Sequence, residues 1–124
     1  MTRREITVLT DASLINCIVQ RGLADKIVQA AQEAGAQGAT IHYASGIGVR
    51  ERLGIVGLAV EAEKEVVSIV VADDQADRVF ESMYLAGKLD TPGMGIITMT
   101  PLEKVATFVS AEILEKLQNE DQKK

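Results

Sequence analysis

The chain has 124 residues, 47% hydrophobic and 25% charged; this fits one globular domain with a single core and excludes a disordered, collagen-like or disulfide-built chain. Thirteen Lys and Arg against eighteen Asp and Glu leave a formal net charge of -5, the wrong sign for general nucleic-acid binding, and the 3% of aromatic residues offer few platforms for stacked bases. No apolar run reaches the roughly 18 residues of a membrane span, so a soluble cytoplasmic protein is expected, with neither membrane insertion nor a nucleic-acid partner.

Residues 5–9 read as a short strand, and the turn-rich 10–13 separates it from a second apolar run at 14–20. From Leu23 the period changes: Leu23, Ile27, Ala30, Ala31 and Ala34 share one helical face, and Gly35 is placed to end the helix as a left-handed cap. Residues 39–44 form a β-rich run that closes at Ser45-Gly46-Ile47-Gly48, where a loop opens. An extended arm over 54–60 is broken by Glu61, Glu63, Lys64 and Glu65, after which 66–71 is a β-branched run of the kind expected in an interior strand covered on both faces. Asp73 and Asp74 are candidate N-caps for a second helix with Ala76, Val79, Phe80 and Met83 on its apolar face and Gly87 as its stop. A tight glycine loop at 91–95 leads to a strand at 96–99 and a bend at Pro101. A third helix starts at Ser110, with Ile113, Leu114 and Leu117 inward, and a polar tail at 119–124 frays.

The order strand, helix, strand, long turn, strand, helix, strand predicts an α+β fold, a ferredoxin-like βαββαβ sandwich with an extra N-terminal strand and a C-terminal helix. The domain divides into an extension at 1–13, the ferredoxin-like body at 14–109, and a helix and tail at 110–124. Two helices cover one face of such a sheet, so its other face predicts an oligomer.

Catalytic constellations are sparse. His42 is the only histidine and Cys17 the only cysteine, and their spacing matches no metal site or nucleophile–base arrangement; a buried structural thiol and a strand histidine are the expected roles. Asp73 and Asp74 are explained by a helix start. No catalytic residues and no metal ligands are assigned, and an enzyme is not expected. The glycine pairs Gly46/Gly48 and Gly93/Gly95 carry more information, because backbone N–H groups there can approach an anion unobstructed, although neither is a Walker or Rossmann loop. Arg50 and Arg52 add cations beside the first pair and Lys64 a third before the interior strand, which suits either a solvated loop or one that contacts a phosphate or carboxylate.

Taken together these motifs resemble the PII signal-transduction family, in particular its divergent PII-like branch. Residues 15–34 followed by Gly35-Ala36-Gln37-Gly38-Ala39-Thr40 are similar to the family's first strand, helix and G-x-x-G-x-T turn. Ser45-Gly46-Ile47-Gly48 resembles the G-F-G start of its T-loop, Val70-Val71-Ala72-Asp73-Asp74 its V-V-x-D-D strand end, and Gly93-Met94-Gly95 its G-D-G B-loop. The resemblance implies a homotrimer with adenine-nucleotide sites in the clefts between subunits, and a T-loop that regulates a membrane transporter or metabolic enzyme. It implies that Thr40 and Val70 hold adenine beside Gly38, that Gly46, Gly48, Gly93 and Gly95 line the phosphates, and that Lys64 follows the bound state.

Departures from the family pattern narrow the expectation. Val49 stands where an arginine is usual, Ile96 where the B-loop has lysine, and Thr107 and Val109 where two arginines are usual. Losing those cations weakens charge-assisted grip on a triphosphate, so ADP or AMP is expected over ATP, with bicarbonate or another small anion near Arg50 and Arg52. The shortened T-loop carries no tyrosine to be uridylylated, and Ser68 replaces a glutamate usual in nitrogen-sensing members. A different expectation is a ferredoxin-like oligomeric module of the divalent-cation tolerance type that binds no nucleotide.

Overall fold

The computed structural model describes residues 6–46, 62–113 and 115–116. Its elements run β1 (Val8–Leu9), β2 (Ala12–Gln20), α1 (Ala24–Glu33), β3 (Thr40–Gly46), β4 (Ala62–Ala72), α2 (Asp73–Ala86), β5 (Gly95–Leu102) and β6 (Val105–Ala106). Strands β2 to β5 form one antiparallel sheet in the order β3-β4-β2-β5, and β1 pairs with β6 in a separate two-stranded ribbon. This is the expected ferredoxin-like arrangement, two βαβ units interleaved in a single sheet.

The sheet's two faces follow from strand periodicity. Ile15 pairs with Ile69 and Met99, and Cys17 with Val67 and Ile97, so odd-numbered residues share one face and even-numbered residues the other. The odd face is the core: Ile15, Cys17, Val19, Val67, Ile69 and Val71 are buried against Ile27 and Ala31 of α1 and Ala76, Val79 and Met83 of α2. Desolvation there pushes the Cys17 thiol up to about 11, as expected of a structural cysteine. Neither α1 nor α2 lies on the even face. The run at 66–71, read from sequence as covered on both faces, is covered unevenly on its even side within a single chain: Val66 is buried, whereas Val70 stays 50% exposed.

Glycine chemistry ends α1 as expected. Gly35 has φ +117, and the N–H groups of Gly35 and Ala36 donate to the carbonyls of Gln32 and Ala31 at 3.0 and 2.9 Å, a Schellman closure. Arg78 of α2 adds a bond from Nε to the Ala34 carbonyl at 2.7 Å, bringing a cation to the negative end of α1. Past Gly87, which ends α2 as read, Lys88 occupies the left-handed position at φ +54.

Four expectations need correction. Asp73 and Asp74 lie in the first turn of α2, whose N-cap is Ala72 without a side-chain cap; the Asp73 carboxylate instead accepts the Ser13 hydroxyl at 2.7 Å, while still suiting the helix dipole. The acidic cluster does not break the chain before 66, since β4 begins at Ala62 and carries Glu63, Lys64 and Glu65 as strand residues. Pro101 lies inside β5, opposite Ser13, which is tolerated because β5 is an edge strand. Finally, β6 captures the N-terminal strand, shortened to Val8–Leu9, through the pairs Val8↔Ala106 and Leu9↔Val105. The third helix starts as expected: residues 111–113 and 115–116 are helical, and Ser110 Oγ accepts the Ile113 N–H at 3.4 Å. The arm at 54–60, Gly48, Arg50 and Arg52, Leu114 and Leu117, and the tail at 119–124 lie outside the described residues.

Candidate functional site

The expected site residues among those described fall into two groups, one towards each end of the sheet. At one end of the sheet, Gly46 closes β3 opposite Ala62, Lys64 pairs with Ala44 on one side and Gln20 on the other, and the Gln20 amide donates to the Gly93 carbonyl at 3.0 Å. Gly95 is next in this arrangement, opposite Val19. Gly46, Lys64, Gly93 and Gly95 are thus gathered at one end, joined by Gln20, which sequence reasoning missed. Towards the other end lie Thr40, opposite Ser68, and Val70, opposite Leu14, with Gly38 just before β3.

The separation of the groups is informative. Lys64 and Val70 are six residues apart on one strand, or about 20 Å at strand rise. Thr40, opposite Ser68, stands four residues from the level of Lys64, or about 13 Å at strand rise.

The glycines differ in what demands them. Gly93 has φ +80 in the turn Thr91-Pro92-Gly93-Met94, closed by a Met94 N–H to Thr91 carbonyl bond at 3.3 Å; proline then glycine is the type II signature. Gly95 has φ +150, and a Cβ there would sit 2.3 Å from the Ile18 carbonyl oxygen, so β5 can approach β2 only without a side chain. By contrast a Cβ on Gly46 would touch the Lys64 side chain at 3.4 Å, an ordinary contact, and one on Gly38 would meet nothing within 4 Å.

The even face is also poor in charge. Lys64 is its one charged side chain among the described residues, against 25% for the whole chain. Across its middle runs a polar row, Thr40, Ser68, Asn16 and Thr98, one residue from each strand, and the Ser68 hydroxyl donates to Asn16 Oδ1 at 2.6 Å. Half-exposed Ile18, Val70 and Ile96 flank that row.

Ahead of the first residue of α1, a cavity of about 600 Å³ is lined by Arg21, Gly22, Tyr43, Ala44, Ser45, Glu63 and Glu65. Its polar groups already serve the fold. Arg21 and Glu63 form an exposed ion pair, and the buried Glu65 carboxylate accepts the N–H groups of Gly22 and, at 3.4 Å, Ala24. Leu23 at the N-cap of α1 has no side-chain cap of its own, so Glu65 caps the helix from a neighbouring strand. The legible sign was parity, since Glu65 alternates with Val67, Ile69 and Val71. Among the described residues no group of three or more His, Cys, Asp or Glu could hold a metal, and His42 is exposed on β3.

Fold and glycine loops together define a ferredoxin-like domain. The family model for nitrogen regulatory protein P-II matches residues 12–112, and the chain belongs to that family, whose members are signalling regulators rather than, as a rule, enzymes. Among solved structures it is similar to PII of Arabidopsis thaliana bound to citrate, with a TM-score of 0.57 and 21% identity over 76% of this chain and 79% of that one. A search of curated proteins found no match. No helix among the described residues is long and apolar enough to cross a membrane.

Proposed function

We propose that this protein is a PII-like sensor that binds an adenine nucleotide, ADP or AMP in preference to ATP, in clefts between the subunits of a homotrimer and regulates a transporter or metabolic enzyme. The observation that carries this reading is the gathering of expected site residues along one open sheet: Thr40 and Val70 towards one end, Gly46 and Lys64 at the other. Assembly also supplies the cover that a charge-poor face needs. Adenine lies against Thr40 and Val70, with Gly38 alongside. The phosphates lie along Gly46, Gly48, Gly93 and Gly95, with Lys64 as their counter-charge. Arg50 and Arg52 hold a small anion such as bicarbonate, and the segment they belong to presents the bound state to the partner.

The test is calorimetric titration of Lys64→Ala and Arg50→Ala beside the parent chain, with adenosine, AMP, ADP and ATP, with and without bicarbonate. Lys64→Ala is expected to weaken ADP about tenfold, as loss of one charge-assisted contact does, and to leave adenosine unaffected. Arg50→Ala is expected to remove the bicarbonate effect. Equal losses for adenosine and ADP would contradict the assigned phosphate end.

A further inference from the structure

We infer that the cavity ahead of α1 is a second ligand site, selective for a small organic ammonium ion and separate from the nucleotide site proposed above. At about 600 Å³ it has the size of a small-molecule pocket. Strand register builds it from the ends of β3 and β4, with Tyr43 opposite Glu65 and Ser45 opposite Glu63. By strand alternation these four share the face of Val67 and Ile69, whereas Gly46 and Lys64 of the nucleotide reading belong to the other face. Arg21, the residue after β2, reaches across to Glu63. The carboxylate that calls for a ligand is that of Glu65, 7% exposed. Its Oε1 accepts the N–H groups of both Gly22 and Ala24 at the head of α1, while Oε2 takes no hydrogen bond from the described residues and is left to the cavity that Glu65 lines. A carboxylate this far from water is stabilised when both of its oxygens meet donors, and the fold supplies donors to one.

Charge and shape select the donor. Two carboxylates, Glu63 and Glu65, against one guanidinium, Arg21, leave the described lining negative by one charge, which favours a cation over an anion. The Arg21–Glu63 pair is open to solvent, with side chains 72% and 68% exposed, and so open a pair contributes little; a ligand cation can share the Glu63 carboxylate with Arg21. A hard metal ion takes about six to eight oxygen ligands, more than two carboxylates offer, and among the described residues no group of three or more His, Cys, Asp or Glu stands together. An ammonium group needs one acceptor for each N–H, and Glu65 Oε2, the Glu63 carboxylate and the Ser45 hydroxyl are the acceptors that this lining provides. Tyr43, 76% exposed beside Glu65, adds a ring face that attracts a cation and covers the first methylenes of its tail.

The experiment is an amide NMR titration of the isotope-labelled full chain with butylammonium chloride, with sodium chloride and tetramethylammonium chloride at equal ionic strength as controls. Butylammonium is expected to shift the Gly22, Tyr43 and Ser45 amides saturably, and tetramethylammonium, which has no N–H to donate, to bind at least about tenfold more weakly. Glu65→Gln keeps an oxygen for the head of α1 and loses the charge; it is expected to weaken butylammonium about tenfold and to leave the ADP titration unchanged. Tyr43→Ala is expected to weaken butylammonium about threefold. Shifts that sodium chloride reproduces, or butylammonium binding that Glu65→Gln retains at parent strength, would overturn the inference. Loss of ADP binding in folded Glu65→Gln would overturn the separation of the two sites, whereas a parent that binds butylammonium and no ADP supports this site and contradicts the nucleotide reading alone. Should Glu65→Gln fail to fold, Glu63→Gln, at an exposed position, is read by the same criterion.

Discussion

Among the glycines that resemble ligand loops, sterics separate those the fold requires from those it does not. Gly95→Ala forces a methyl to within 2.3 Å of a backbone oxygen and is expected to cost about 2–3 kcal/mol or more, measured by urea unfolding. Gly38→Ala, with open space around its Cβ, is expected to change stability by less than about 0.5 kcal/mol, so any loss of nucleotide affinity in that variant reports on the site. Cys17 gives a second residue-scale test. Its thiol is pushed up to about 11 from 9.0 by burial, so the folded chain holds the proton more tightly than the unfolded chain. That contribution to stability is present below about pH 9 and is lost as pH rises towards about 11. Replacing Cys17 with Ala should flatten this alkaline decline, and unchanged alkaline unfolding in the variant would remove the thiol as its source.

Single elements show where the sequence was legible. The apolar run at 14–20 and the β-branched run at 66–71 placed β2 and β4, and the 3.6-residue spacing of Ile27 and Ala31 placed α1 with its Gly35 stop, because these patterns are imposed by burial. The charged start of β4 was not legible as strand. Its carboxylates answer partners distant in sequence, Glu63 the Arg21 guanidinium and Glu65 the N–H groups at the start of α1, and local reading has no access to such pairs. Pro101 misled for a similar reason, since only the sheet order makes β5 an edge. The ends of the candidate site were legible as motifs, while Gln20, which links Lys64 to the Gly93 loop, carries no local signal. The capping role of Glu65 can be tested at this scale: Glu65→Ala leaves two N–H groups at the head of α1 without their acceptor and is expected to cost about 1–3 kcal/mol, whereas Glu63→Ala, which removes an exposed pair, should cost under about 1 kcal/mol. Equal losses would contradict the division of labour between the two carboxylates.

At the level of the whole molecule, the two faces of the sheet differ: α1 and α2 seal one, while the other carries one charged side chain among the described residues and is crossed by the Asn16–Ser68 hydrogen bond. Under the proposed function, the residues for adenine and for phosphate lie towards opposite ends of that face, so copies of the chain that share the ligand would also cover the face, and nucleotide affinity is expected to depend on the assembled state. The most direct measurement is isothermal titration of the purified parent chain with ADP. It should show saturable binding with an affinity in the micromolar range, about 8 kcal/mol, and one site per chain. The absence of any binding heat for ADP and AMP, from a chain shown to be folded and assembled, would contradict the account and leave an oligomeric ferredoxin-like module without a nucleotide site.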